Sequence, residues 1–121
     1  MEQMVRTGLL YDFYGGLLTE KQRRTMELYY LENWSLTEIA AEAGVSKQAV
    51  HDLLHRSERI IEDLEQKLGL LQRFLDQQTS LNQISRKLQQ VLVSLPEPSP
   101  NHKILMEINQ QILDMAEAEM E

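Results

Sequence analysis

The sequence predicts an all-α protein, a helix-turn-helix bundle followed by a long amphipathic C-terminal helical extension. Three observations carry that expectation. Apolar residues recur every three to four positions along most of the chain, whereas no run alternates with period two between turn signals. Thr19-Glu-Lys-Gln22 and Ser35-Leu-Thr-Glu38 are both capping-box sequences, in which a hydroxyl takes the N3 amide and the N3 side chain reaches back. The segment LTEIAAEAGVSKQAVHDLLH, Leu36 to His55, places small and apolar residues where two short helices must cross through a tight turn.

In chain order, a first helix is expected over Val5 to Tyr14, turning Leu9, Leu10, Phe13 and Leu17 toward a core, with Gly15-Gly16 ending it. The second starts at the Thr19 cap and runs to Leu31, with Met26, Tyr29 and Tyr30 as its buried stripe. The third covers Leu36 to Ala43. Gly44 supplies the positive φ of the turn, and Ala40 is small enough for the next helix to lie across. Ser46 caps the fourth helix, which continues to Leu68 with Gly69 as its C-cap. Beyond it Leu71, Leu75, Leu81, Ile84, Leu88, Val91 and Leu95 form one stripe of a long helix. Three prolines between Pro96 and Pro100 break that helix, and Ser99-Pro100 is a cap and first-turn pair for a last one. Ile104, Leu105, Ile108, Ile112 and Met115 share a face there, and the acids of AEAEME oppose the macrodipole, so its last turn should fray.

With 121 residues, the chain suits one small domain and a helical extension, divided here as 1–69 and 70–121 with a break at 96–100. Hydrophobic residues make up 42% and charged ones 26%, within the globular range. No apolar run approaches the roughly 18–20 residues of a membrane span, so no membrane insertion is expected. Glu2 and Asp12 interrupt the N-terminal apolar stretch, against a signal peptide. The absence of cysteine excludes disulfides and thiolate chemistry and fits a cytoplasmic location. The net charge is -7; acids outnumber bases 12 to 8 up to Leu70 and 7 to 4 beyond it. Both halves repel a polyanion at long range, so nucleic-acid binding would depend on local placement of charge.

That placement is found on the fourth helix. One side carries Ala49, Val50, Leu53, Leu54, Ser57, Ile60, Ile61 and Leu64; the other carries Lys47, Gln48, His51, Asp52, His55, Arg56 and Arg59. Lys47, His51, His55 and Arg59 follow one another at i, i+4, and the first residues of such a helix are those that reach base edges. Arg and Lys suit guanine or phosphate, and Gln48 suits adenine. Asp52 repels phosphates, although it can accept from cytosine or orient Arg56 one turn on. Only Lys47, Arg56 and Arg59 carry permanent positive charge, a thin phosphate grip for one subunit. A symmetric dimer would double it and set two recognition helices for half-sites about 34 Å apart. The two C-terminal helices, with little core of their own, suit such an interface; the alternative is that they fold back on each other as an antiparallel pair.

Leu17 to Leu64 resembles the fourth region of bacterial σ70-type factors, the module that reads the promoter -35 element. The residues that carry the likeness are Leu18-Thr-Glu-Lys-Gln22-Arg23, Tyr30, Leu36-Thr-Glu-Ile39-Ala40, Gly44-Val-Ser46 and Val50-His-Asp-Leu-Leu54-His-Arg56. The whole chain, including Leu10-Tyr-Asp-Phe-Tyr14 and the Leu/Gln-rich extension, is similar to the YlxM family of Gram-positive bacteria. That family has genes beside that of the signal recognition particle GTPase, so the resemblance implies a DNA-binding or regulatory protein of the protein-targeting pathway. Duplex DNA and signal recognition particle components are the partners it implies. DNA contact would fall on Ser46, Lys47, Gln48, His51, His55 and Arg56. Where many σ sequences have a base at the His51 position and further arginines near Asp52 and Leu53, this chain does not. With no σ region 2, direct σ activity is not expected.

Other readings of these residues are weaker. His51 and His55 have metal-ligand spacing, but Asp52 is expected to point away from their row and no third ligand is evident, so no metal and no cofactor is expected. Tyr29, Tyr30 and Trp34 have helix-packing spacing rather than that of a stacking platform. With no Gly-rich phosphate loop and no carboxylate pair beside a histidine, no catalytic site is expected; Glu62, Asp63 and Glu65 read as solvent-facing acids. The alternative to a DNA-binding regulator is a module that contacts signal recognition particle RNA or GTPase through the helix-turn-helix or the acidic surface.

Overall fold

A computed structural model describes residues 1–96 and 99–117. Among them are six α-helices and no strand. They fall into two compact units, one covering Met1–Leu71 and the other beginning at Gln72.

In the first unit, α1 (Gln3–Tyr14) starts two residues earlier than expected and gives way at Gly15 to a single 3-10 turn, Gly15–Leu17. Its buried face is Thr7, Leu10 and Tyr14, whereas Leu17 is exposed. The tight turn rotates Leu17 away from the stripe, and Leu18 takes the core position. Helix α2 (Glu20–Met26) begins at Thr19 with both bonds of its capping box formed. It widens into a π-helical turn, Glu27–Leu31, in which the Glu32 amide donates to Glu27 O at 3.0 Å. Asn33, at φ 58°, then ends it in the left-handed region that asparagine tolerates. This wider turn changes the phase of the stripe: Met26 is buried, but Tyr29 and Tyr30 are only half-buried, and the Tyr30 hydroxyl donates to Glu58 on the fourth helix.

Helices α3 (Leu36–Ala43) and α4 (Lys47–Leu68) have the expected bounds, including the Ser35–Glu38 capping box and the Ser46 cap. Gly44, at φ 70°, closes α3, and the amides of Gly44 and Val45 both donate to Ala40 O. Ile39, Ala40 and Val50 are buried at the crossing, whereas Ala43 and Val45 remain exposed. Along α4 the buried positions are Val50, Leu54, Ser57, Ile61 and Glu65.

Glu65 therefore differs from the expectation of a solvent-facing acid. It lies four residues after Ile61 on the same stripe, and only polar partners make its burial tolerable. The Tyr14 hydroxyl donates to its Oε1 at 2.5 Å, and the Leu71 amide donates to the same oxygen at 3.0 Å. Tyr14 in turn accepts from the Leu70 amide at 3.2 Å. Burial, then the hydrogen bond to Glu65, pushes the Tyr14 phenol above its ordinary pKa. Glu62 is also engaged, in an ion pair with Arg6 at 2.6 Å.

Helix α5 (Leu70–Ser94) begins directly after Gly69, which ends α4 at φ 65°. In the second unit, the rest of α5 pairs with α6 (Pro100–Ala116), whose Ser99 cap accepts from the His102 amide with Pro100 in the first turn. Ser85 Oγ donates to Asn109 Oδ1 at 2.6 Å, and Gln78 Nε2 donates to Ala116 O at 2.9 Å. Seven residues separate the two bonds on each helix, in opposite directions, which defines an antiparallel register. The C-terminal helices thus fold back on each other within the chain, and a polar pair between the buried Ser85 and the half-buried Asn109 fixes their alignment. Much of the expected stripe stays uncovered: Ile84, Val91, Ile104, Ile108 and Met115 are exposed. The acidic end from Ala118 onward, where fraying is expected, lies outside the described residues.

Tyr14→Phe removes the hydroxyl that serves both Glu65 and Leu70, and Glu65→Ala strands Tyr14 and the Leu71 amide. Each is expected to lower stability by about 1–3 kcal/mol in urea unfolding, and the double variant to lose less than the two together.

Candidate nucleic-acid interface

The candidate surface is built on the first four turns of α4. Ser46 supplies its start: the backbone is extended at φ -75° and ψ 157°, and Oγ accepts from the Ala49 amide at 3.0 Å. The Ser46 hydroxyl is therefore committed to the cap, and a phosphate reaching this residue would meet the free amides of the first turn more readily than the side chain. Lys47, Gln48, His51, His55, Arg56 and Arg59 are all exposed, on the side of α4 opposite its buried stripe.

The structure divides these residues into committed and uncommitted groups. Lys47 and Arg59 form no side-chain hydrogen bond or ion pair among the described residues. Gln48 Nε2 donates to Asp52 Oδ1 at 2.9 Å, so its side-chain amide is occupied. His51 and His55 bring their Nε2 atoms to 2.9 Å, with one nitrogen holding the proton that the other accepts. Each outward ring nitrogen faces an acid: His51 Nδ1 lies 3.5 Å from Asp52, and His55 Nδ1 lies 3.4 Å from Glu58. Asp52 thus engages the histidine row rather than pointing away from it as expected. The bonds from Gln48 and then His51 hold its carboxyl below the ordinary aspartate pKa. Among the described residues no group of three or more His, Cys, Asp or Glu side chains is arranged to hold a metal.

Arg56 lies off the histidine row, on the side toward α2. Its Nε donates to the Asp52 carbonyl at 3.4 Å, a long bond that leaves most of the guanidinium available. Across a cleft from it stand Lys21 and Arg24, two cations that reading the fourth helix alone does not identify. Their signal lies in the spacing through α2 and the π-helical turn after it, where Lys21, Arg24 and Leu28 recur at three and four residues, one stripe facing α4. Arg24 is neutralised by an ion pair with Glu42 of α3; Lys21 is not paired among the described residues.

A turn at Gly44, a capped following helix and an exposed polar row on its first turns define a protein of the helix-turn-helix class. A family profile described as helix-turn-helix protein, YlxM / p13 like, matches residues 1–95. The chain belongs to this family, UPF0122. Among curated relatives, a UPF0122 protein of Anoxybacillus flavithermus is 44% identical over 108 residues, covering 89% of this chain and 92% of its own. One from Geobacillus sp. (strain WCH70) is 48% identical over 84 residues, or 69% of this chain and 76% of its own. One from Bacillus cereus (strain AH187) is 51% identical over 78 residues, or 64% and 71%.

Ser46→Ala leaves the Ala49 amide without its partner and is expected to cost about 1 kcal/mol in thermal or urea unfolding, whereas Ser46→Asp retains the cap and most of the stability.

Proposed function

We propose that this chain is a helix-turn-helix DNA-binding regulatory protein of the signal recognition particle pathway, acting in the cytoplasm as a homodimer without catalytic activity. The observation that carries the DNA reading is the exposed row on the first turns of α4, held there by the Ser46 cap and the Gly44 turn. Lys47 and Arg59 meet phosphates, Gln48 and the histidines face base edges once their mutual bonds open, and Arg56 reaches the backbone on the α2 side. The link to protein targeting rests on the family resemblance.

The dimer answers the weakness of that grip. With three permanent cations on the exposed face of α4 and a net charge of -7, one subunit binds DNA weakly at physiological salt. The α5–α6 pair supplies a surface for a second copy: Ile84 and Val91 are one heptad apart, and Ile104, Ile108 and Met115 fall on one stripe of α6. Exposed apolar stripes on both helices of a pair suit a four-helix bundle of two copies.

A second reading has its own observation in the excess of acid over base in both halves of the chain, which suits a basic protein partner or a ribonucleoprotein better than bare duplex. Fluorescence anisotropy with a genomic-fragment duplex and with signal recognition particle RNA separates the two. For the DNA reading, Lys47→Ala/Arg56→Ala is expected to lower duplex affinity at least tenfold and reduce the salt slope by about two for each bound subunit, about four for the dimer, at roughly 0.9 per phosphate contact. Asp52→Asn is expected to tighten binding a few-fold. Preferential binding of the RNA, or of neither, by the folded protein removes the regulator reading.

For the dimer, Ile84→Asp/Ile108→Asp is expected to shift sedimentation from dimer to monomer with helicity retained. An unchanged sedimentation coefficient would exclude the hairpin as the interface.

A further inference from the structure

The crook of the helix-turn-helix holds a cleft of about 470 Å³ that DNA contact leaves unused. Its size falls within the roughly 300–1,000 Å³ of small-molecule sites. Its floor is apolar: Leu28 from the π-helical turn, Ile39 from α3, and Val50 and Leu53 from α4. It stays open because Ala43 and Ala49, at its edge, are too small to fill it. The rim is charged and unevenly committed. Arg24 and Glu42 pair with each other, bridging α2 and α3. Asp52 accepts from Gln48 at 2.9 Å and faces His51. Both acids of the rim are thus occupied, while Lys21 has no side-chain partner among the described residues and Arg56 touches only a backbone carbonyl. In a chain of net charge -7, the uncommitted groups at this one apolar cleft are both cations.

We propose that the cleft binds a small amphiphilic anion, an apolar chain or ring system ending in a carboxylate-like group. The body lies on Leu28, Ile39, Val50 and Leu53, and the headgroup is taken by Lys21 and Arg56. Burial of the body supplies most of the affinity, and the charge-assisted bonds select an anion over a neutral molecule of equal size. Walls from three helices, two of them joined by the Arg24–Glu42 pair, suit a compact ligand better than a partner helix about 10 Å across. Arg56 also belongs to the DNA-facing set, so an anion that recruits it removes one phosphate contact and opposes DNA binding. That coupling rests on the DNA reading; occupancy of the cleft does not.

The test is a titration of decanoate, below its micellar range, into the isotopically labelled full-length protein without DNA, followed by amide shifts. Saturable shifts are expected at Ala43, Val45 and Ala49, with decan-1-ol binding about tenfold more weakly. Lys21→Ala/Arg56→Ala is expected to lower decanoate affinity about tenfold and leave that for decan-1-ol unchanged. Ala49→Phe, at an exposed helical position, is expected to abolish both with the circular dichroism preserved. Shifts confined to α5 and α6, or equal affinity for acid and alcohol, would overturn the proposal. So would shifts at Ala43, Val45 and Ala49 on concentrating the protein alone, since these would place a second copy in the cleft. If the cleft fills, decanoate is then expected to raise the dissociation constant for the duplex several-fold; a protein that binds decanoate but no DNA refutes the DNA reading and leaves the cleft assignment standing.

Discussion

The first unit depends on a carboxylate that is out of water. Glu65 sits near the end of α4 among apolar residues, and a buried charge without partners would cost several kcal/mol. Tyr14 from α1 and the Leu71 amide of α5 meet the same oxygen, and Tyr14 accepts from Leu70. One side chain therefore ties the end of α1, the last turns of α4 and the first turn of α5, which would otherwise begin with unsatisfied amides. The apolar contacts of Leu10, Leu54 and Ile61 drive collapse but are indifferent to small slips. The Tyr14–Glu65 bond is directional, so it sets the register of α1 on α4. The other end of α4 is fixed by Gly44 and Ser46. Held at both ends, α4 presents its exposed row from a stiff support, as a surface that reads a partner's geometry requires.

What was legible in the sequence follows from which physics is local. Capping boxes at Thr19 and Ser35, the Ser46 cap and the left-handed glycines act within one turn of chain, and all of them form where the residues predict. The helix-turn-helix was legible for the same reason, as its constraints lie within Leu36 to His55. Burial of Glu65 was not, because its partner lies 51 residues away. The position on the Ile61 stripe was a signal, yet a charged residue on a stripe usually marks its edge. The π-helical turn at Glu27–Leu31 has no comparable local signature, and it moves Tyr29 and Tyr30 out of the core phase. Ser85 and Asn109 illustrate the converse: each reads as an ordinary polar gap in its own helix, and only their pairing gives them a structural task.

The candidate site was legible as a set of residues but not as a set of states. Gln48, Asp52, His51, His55 and Glu58 form a chain of side-chain contacts along the surface of α4, in which acids and neutral donors satisfy one another. Such a surface has low affinity for stray anions, since its readers must first give up existing partners. A correct base edge can replace the Asp52 contact of Gln48 with two bonds, whereas a phosphate cannot. If the face reads DNA as proposed, acids within it would reduce nonspecific affinity more than specific affinity, a gain in discrimination.

This view also reconciles the acidic chain with a reading helix. A surface rich in lysine binds any polyanion and is governed by salt. Here Lys47, Arg56 and Arg59 provide the uncommitted positive charge on the α4 face, with Lys21 across the cleft, in a chain of net charge -7. With so few cations on that face, each would control a large share of the energy of the proposed DNA contact, and committing one elsewhere would have a correspondingly large effect. Arg56 is the cation placed to be shared, because it borders both the reading face and the apolar cleft. In the proposed dimer, loss of one contact in each subunit would remove two from the complex. On the proposed DNA reading, scarcity of positive charge would let a local event at the crook of the helix-turn-helix change the affinity of the whole assembly.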